Sequence, residues 1–235
     1  MDTANYKSRG FNASQPAHIQ IANTIQTMKT LKNGHDIRQW SGTARKELIL
    51  GGDVDIVNTD GDIIGTAPKL ALVVVSSAFR AHLEKVPDAD KIKVSHSAID
   101  QDSIRFLLDW VKSILRSSAK FGVGIPGSNI DLIKVRHTAN LLEMDLYVRH
   151  FTKAYKEDLR NRIPPTSECE LLERRAVGAS DEMITAVGER LAYLRRRGEF
   201  NAASVAALAA FLDTHDKIRK AVNDADLRAA HTRRT

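Results

Sequence analysis

The sequence predicts an α+β fold: a small sheet with its hairpin, flanked by helices and followed by an all-helical C-terminal extension. Three observations carry that expectation. Val54-Asp55-Ile56-Val57 and Asp62-Ile63-Ile64 flank Asp60-Gly61, a dipeptide suited to the backbone of a tight hairpin. Pro68 can open a helix, where its missing N–H is not needed, and Ser76-Ser77 can break it and cap the next, from Ala78 to Val86. Finally, neither residue of Pro164-Pro165 can continue a helix, and Ile163 is restricted as well. The chain therefore divides into an N-terminal segment with one helix (1–50), a central domain (51–162) and a helical extension (163–235).

Taken in order, residues 1 to about 15 are polar and rich in Asn, Ser and Gly, and are expected to be loosely attached. Residues 16–31 place Ile19, Ala22, Ile25 and Met28 at helical spacing, with Asn33-Gly34 to end the helix. Residues 35–50 hold Ile37, Trp40, Leu48, Ile49 and Leu50 without clean periodicity, and Gly51-Gly52 is a break. After the hairpin and two short helices, Ile92-Lys93-Val94 reads as a third strand. Asp100 or Asp102 can cap a helix from Ser103 to Arg116, whose broad apolar face is Ile104, Leu107, Leu108, Val111, Ile114 and Leu115. Residues 117–128 read as a loop, 129–144 and 145–160 as helices, with Asp145 as the cap of the second. Past the prolines, Ser167 or Ser180 can cap a run carrying Met183, Val187, Leu191 and Leu194. Asn201 can cap another carrying Val205, Leu208, Leu212 and Ile218. After Ala221 the chain turns polar and is expected to fray.

The segment from about 53 to 155 resembles a BTB/POZ domain. The residues that carry the resemblance are Asp60 and Gly61, Lys69 to Leu72, Ser76-Ser77-Ala78-Phe79-Arg80, Ile92-Lys93-Val94, and Ile104 to Trp110. Val135 to Leu142 with Asp145-Leu146 resembles the later helix pair of that family. The ordered series is the specific part, and its composition resembles the divergent BTB-like proteins of filamentous fungi. Pro68-Lys69 stands where the family usually has His-Lys. His82-Leu83-Glu84 stands in place of the hydrophobic-x-Glu triplet often carried by members that recruit a cullin ubiquitin-ligase scaffold. The resemblance implies a protein–protein interaction module that homodimerises through the helix after the hairpin and scaffolds a larger complex. A ubiquitin-ligase substrate adapter is the narrower alternative.

Lys69 to Val75 is apolar almost all round, so its helix must be buried on several sides. The resemblance makes Leu70, Leu72, Val73 and Val74 the candidate dimer interface. A second copy, the helix at 16–31 or ordinary core packing could each cover them, and a short buried strand is the other reading of the run.

The chain has 235 residues, 43% of them hydrophobic, and a formal charge of +6, which makes it mildly basic. Lys and Arg are spread along the chain except near the C-terminal end. There Arg190, Arg195, Arg196 and Arg197 form the candidate basic patch, with Arg174-Arg175, Lys217, Arg219 and Lys220 nearby. Such charge suits phosphates or an acidic partner, so a nucleic-acid or chromatin-associated binder is a further alternative. Apart from Tyr193, no aromatic residue is interleaved for stacking on single strands.

A lone cysteine, Cys169, excludes a disulfide framework and favours a reducing compartment, nucleus or cytoplasm. Flanked by Glu168 and Glu170, it is expected to be an inert cysteine at the surface or on a helix. No apolar run reaches the length of a membrane span, and no signal peptide is read at Met1-Asp2-Thr3. Gly122-Val123-Gly124-Ile125-Pro126-Gly127 fits G-x-G-x-x-G by count. It follows an amphipathic helix rather than a strand, however, and Pro126 removes an N–H, so it reads as a loop between helices. The eight histidines show no metal-ligand spacing, and there is no G-x-S-x-G elbow. Neither a catalytic group, a cofactor nor a metal is expected.

Overall fold

The computed structural model describes residues 14–96, 99–176, 178 and 180–232. Among these are eleven α-helices and one three-stranded mixed sheet. The expectation for residues 1–15 lies almost wholly outside the described residues.

The chain forms two compact units. The first holds the described residues up to Gly124 together with Lys134–Val148; the second holds Ile125–Ile133 and Arg149 onward. This moves the boundary expected at residue 163. The helix expected at 145–160 joins the C-terminal helices, and the N-terminal segment belongs to the sheet-bearing unit rather than standing apart.

In the first unit, β1 (Asp53–Val57) is the central strand. It pairs antiparallel with β2 (Ile63–Pro68) and parallel with β3 (Lys91–Lys93), giving the order β2-β1-β3. The hairpin turn is organised by Asn58, whose Oδ1 accepts from the N–H of Asp60 at 2.9 Å and of Asp62 at 2.8 Å. Gly61 supplies the positive φ of 92° that the turn requires. A register shift between Ile56 and Val57 absorbs the longer loop.

α1 (Ala17–Thr30) precedes the sheet. The stretch 35–50, which shows no periodicity, folds as three short pieces: 3-10 turns at Ile37–Gln39 and Leu48–Gly51 around α2 (Gly42–Glu47). Single side chains fix this stretch instead of a repeating face. Trp40, fully buried, donates from Nε1 to Gly34 O at 2.8 Å. Tyr147 accepts from Ile37 N–H at 3.1 Å and donates to His35 O at 2.9 Å. Arg45, also fully buried, donates to the carbonyls of Ser117, Ser118 and Ala119 at 2.9–3.1 Å. These lie just past the C-terminus of α5 (Gln101–Arg116), where the helix dipole is negative.

Between β2 and β3 lie α3 (Lys69–Val75) and α4 (Ser77–Lys85). Ser76 caps α4, its hydroxyl accepting from Phe79 N–H at 3.0 Å. Asp100, rather than Asp102, caps α5, accepting from Ser103 N–H at 3.0 Å. The face expected on α5 is buried in full.

α6 (Asn129–Leu141) stops three residues early because Glu143 takes a positive φ of 54°. Asp145 begins a 3-10 turn at 145–147 instead of capping a helix, and α7 runs Arg149–Leu159.

In the second unit, α8 is Thr166–Arg175, and Pro165 rather than Ser167 precedes it. α9 (Glu182–Arg197) is capped by Asp181 rather than Ser180. The run from Asn201 to Ile218 is not one helix: α10 (Ala202–Thr214) ends at His215, and α11 (Asp216–Thr232) follows. α11 does not fray after Ala221, because Ile218, Ala221, Val222 and Ala225 form a buried stripe. α9 and α11 cross closely at Gly188, where an added Cβ would lie 2.6 Å from the carbonyl carbon of Ala221.

Candidate interaction surfaces

The candidate dimer residues Leu70, Leu72, Val73 and Val74 are each at most 2% exposed within the single chain. α3 is enclosed by α1, α4, β2, α5 and the two 3-10 turns. The all-round apolar pattern therefore marks a core helix, and of the coverings that the sequence allows, the chain's own elements supply it. A dimer surface on α3 is corrected accordingly: as folded, the helix has no face left for a second copy.

The basic patch is divided by the fold. Arg195 and Arg196 both pair with Asp226 of α11, Arg196 at 2.5 Å. Sharing one carboxylate, they keep only part of their charge for a partner. Arg197 is exposed. Arg190 faces elsewhere: its Nε donates to Arg162 O at 2.9 Å, and its guanidinium lies 5.7 Å from the Tyr193 ring centre. There it meets two cations from α7, Lys156 and Arg160. These line, with Leu159, Ala186, Glu189 and Tyr193, a groove of about 440 Å³ between α7 and α9. Lys156 and Arg160 escaped sequence reasoning because they lie some thirty residues from Arg190 and carry no motif; the only signal for them was the apolar spacing that brings α7 against α9.

α10 is the second open surface. Its stretch Ala202 to Leu212 contains no charged residue, yet among its side chains only Leu212 is buried. Val205 is 45% exposed. Beside it, Leu208 and Phe211 line an apolar cleft of about 210 Å³ with Ile163, Pro164, Cys169 and Leu191. A largely apolar helix that leaves most of itself exposed is a candidate contact surface.

A buried polar cluster underlies that cleft. Glu168, 3% exposed, accepts from Tyr155 Oη at 2.5 Å and from Arg162 at 2.9 Å. Arg162 also pairs with Asp158. Burial, and then the Glu168 hydrogen bond, push the Tyr155 phenol far above its ordinary range. With its carboxylate satisfied from both sides, the cluster reads as a fastening of α7 to α8. Cys169 is buried, not at the surface, and burial followed by the Glu168 charge pushes its thiol up to about 12.

Residues 122–127 lie in an irregular segment that follows a helix, with no strand before them. Among the described residues no three His, Cys, Asp or Glu side chains are grouped to share a metal ion, and no helix is long and apolar enough to cross a membrane. No family model, no curated protein and no solved structure matches the chain.

Proposed function

We propose that this chain is a non-catalytic protein–protein interaction module of BTB/POZ type, which self-associates and scaffolds a larger assembly. The observation that carries the reading is the order of elements in the first unit. A hairpin leads into two short helices, then a strand returns parallel to the first, then a long amphipathic helix follows. That is the order the sequence resemblance implies, with Ser76 capping the Ser-x-x-Phe-Arg helix.

Self-association needs a face other than α3, and α10 supplies it. In a chain of formal charge +6, two copies repel at long range. The uncharged run from Ala202 to Leu212 is where they meet without bringing like charges together. The occupant we propose is a second copy, its α10 laid against the cleft of Leu208 and Phe211 in a symmetric pair.

Light scattering on the wild type and on Val205→Asp tests this. Because Val205 is exposed, the variant should keep its circular dichroism and thermal midpoint. The expected result is a dimeric wild type at micromolar concentration and a folded, monomeric variant. A monomeric wild type would sink the reading of α10, and so would a dimer untouched by the charge.

A further inference from the structure

We propose that the groove between α7 and α9 is a docking site for an acidic peptide segment of a partner protein, one bulky apolar side chain of which sits on the groove floor. The site is separate from α10, and the proposal does not depend on self-association there.

The floor and wall are apolar: Leu159 and Ala186 are buried, and Tyr193 presents a ring that is 44% exposed. The remaining lining is charged, and its charges are not balanced. Glu189 is matched by Arg228 of α11 at 3.0 Å. Lys156 is matched by Glu182 at 3.1 Å. Among the described residues this leaves the guanidinium groups of Arg160 and Arg190 without a carboxylate. Arg190 is held in position by the Arg162 carbonyl and the Tyr193 ring, so little freedom is lost when it meets an anion. The positioned guanidinium of Arg190 and the exposed one of Arg160, beside a small apolar floor, match a carboxylate-bearing chain with one apolar anchor.

The same geometry disfavours a nucleic-acid duplex. Phosphate tracking needs a continuous row of cations along a backbone carrying a charge about every 1.7 Å. Arg195 and Arg196 do not extend such a row: neither lines the groove, and both are engaged by Asp226. An apolar floor also adds nothing to phosphate contact.

The test is fluorescence anisotropy on the full chain. The probes are a dye-labelled peptide of glutamates around a central phenylalanine, the same peptide with alanine at the centre, and a labelled DNA duplex. Arg160→Glu reverses one groove charge at an exposed position; Arg197→Glu makes the same change in net charge on an exposed residue outside the groove. Circular dichroism of both variants confirms folding. The expected result is that the phenylalanine peptide binds best, that Arg160→Glu weakens it about tenfold or more, and that Arg197→Glu changes it less than about twofold. Equal losses in the two variants would reduce the effect to net charge and overturn the site. Indifference to the central phenylalanine would remove the anchor, and no binding of either peptide would end the proposal. A duplex that binds more tightly than the peptide and is lost in Arg160→Glu would reassign the groove to nucleic acid.

Discussion

Cys169 shows how far one residue's chemistry follows from its neighbours in space. Glu168 and Glu170 beside it in sequence suggest an inert thiol, at the surface or on a helix. The inertness has a different main cause, burial, with the Glu168 charge second. The thiol's ordinary value of 9.0 rises to about 12 in the folded chain. The sign of the pH effect follows. Below about 9 the thiol is neutral in both states and contributes no pH dependence. Between about 9 and about 12 the unfolded thiol ionises while the folded one does not, so stability falls as pH rises through that window. At pH 8, labelling with a disulfide reagent should therefore be slow in the native protein and rapid in denaturant; fast native labelling would mean that the α8 side of the cleft opens freely. Arg45 and Tyr147 teach the complementary lesson. Neither belongs to a pattern, yet each closes contacts across the sequence, Tyr147 over 110 residues to Ile37. A hydrogen bond of that span leaves no periodic trace, which is why the stretch 35–50 looked featureless.

At the scale of elements, helices and strands were legible where a local cause acts: the hairpin at Asp60-Gly61, the cap at Ser76, the cap at Asp100, the wide stripe of α5, the cap at Asn201. Boundaries failed where the cause is tertiary. α11 looked frayed because alanines give little contrast in hydropathy, yet Ala221 and Ala225 are what let it approach α9. Gly188 is the counterpart on α9. Gly188→Ala should favour the helix by roughly 1 kcal/mol through propensity alone. The new methyl would meet Ala221 backbone at 2.6 Å, however, and neither helix backbone can yield as a flexible side chain would. Overpacking of this kind costs about 1–3 kcal/mol, so the net effect should be destabilising, seen as a lower urea midpoint. A raised midpoint would mean that the crossing is looser than the structure has it. The apolar character of α3 and α10 was equally plain from sequence, but not its use. One is sealed inside the first unit and the other lies open on the second, and composition alone does not separate these outcomes.

For the whole molecule, the two proposed contacts respond to salt in opposite directions. A chain of formal charge +6 repels its copies, and the α10 surface offers only apolar contact to overcome that. Raising ionic strength shortens the reach of repulsion, so self-association should strengthen with salt. Capture of an acidic peptide by Arg160 and Arg190 is an attraction and should weaken over the same range. Anisotropy and light scattering on one salt series would read both. If both weakened together, charge pairing rather than α10 would be holding the copies.

The discontinuity of the first unit has a consequence for synthesis. Tyr147 holds Ile37 and His35, and Lys134–Val148 belongs with the sheet although residues 125–133 do not. A nascent chain that has just released its hairpin and α3 cannot yet make the Tyr147 hydrogen bonds that hold Ile37 and His35. The residue that makes them has not yet been synthesised, and the stretch around Ile37 stays open until Tyr147 emerges. Chaperone capture and co-translational degradation of this protein should therefore concentrate in that interval of elongation.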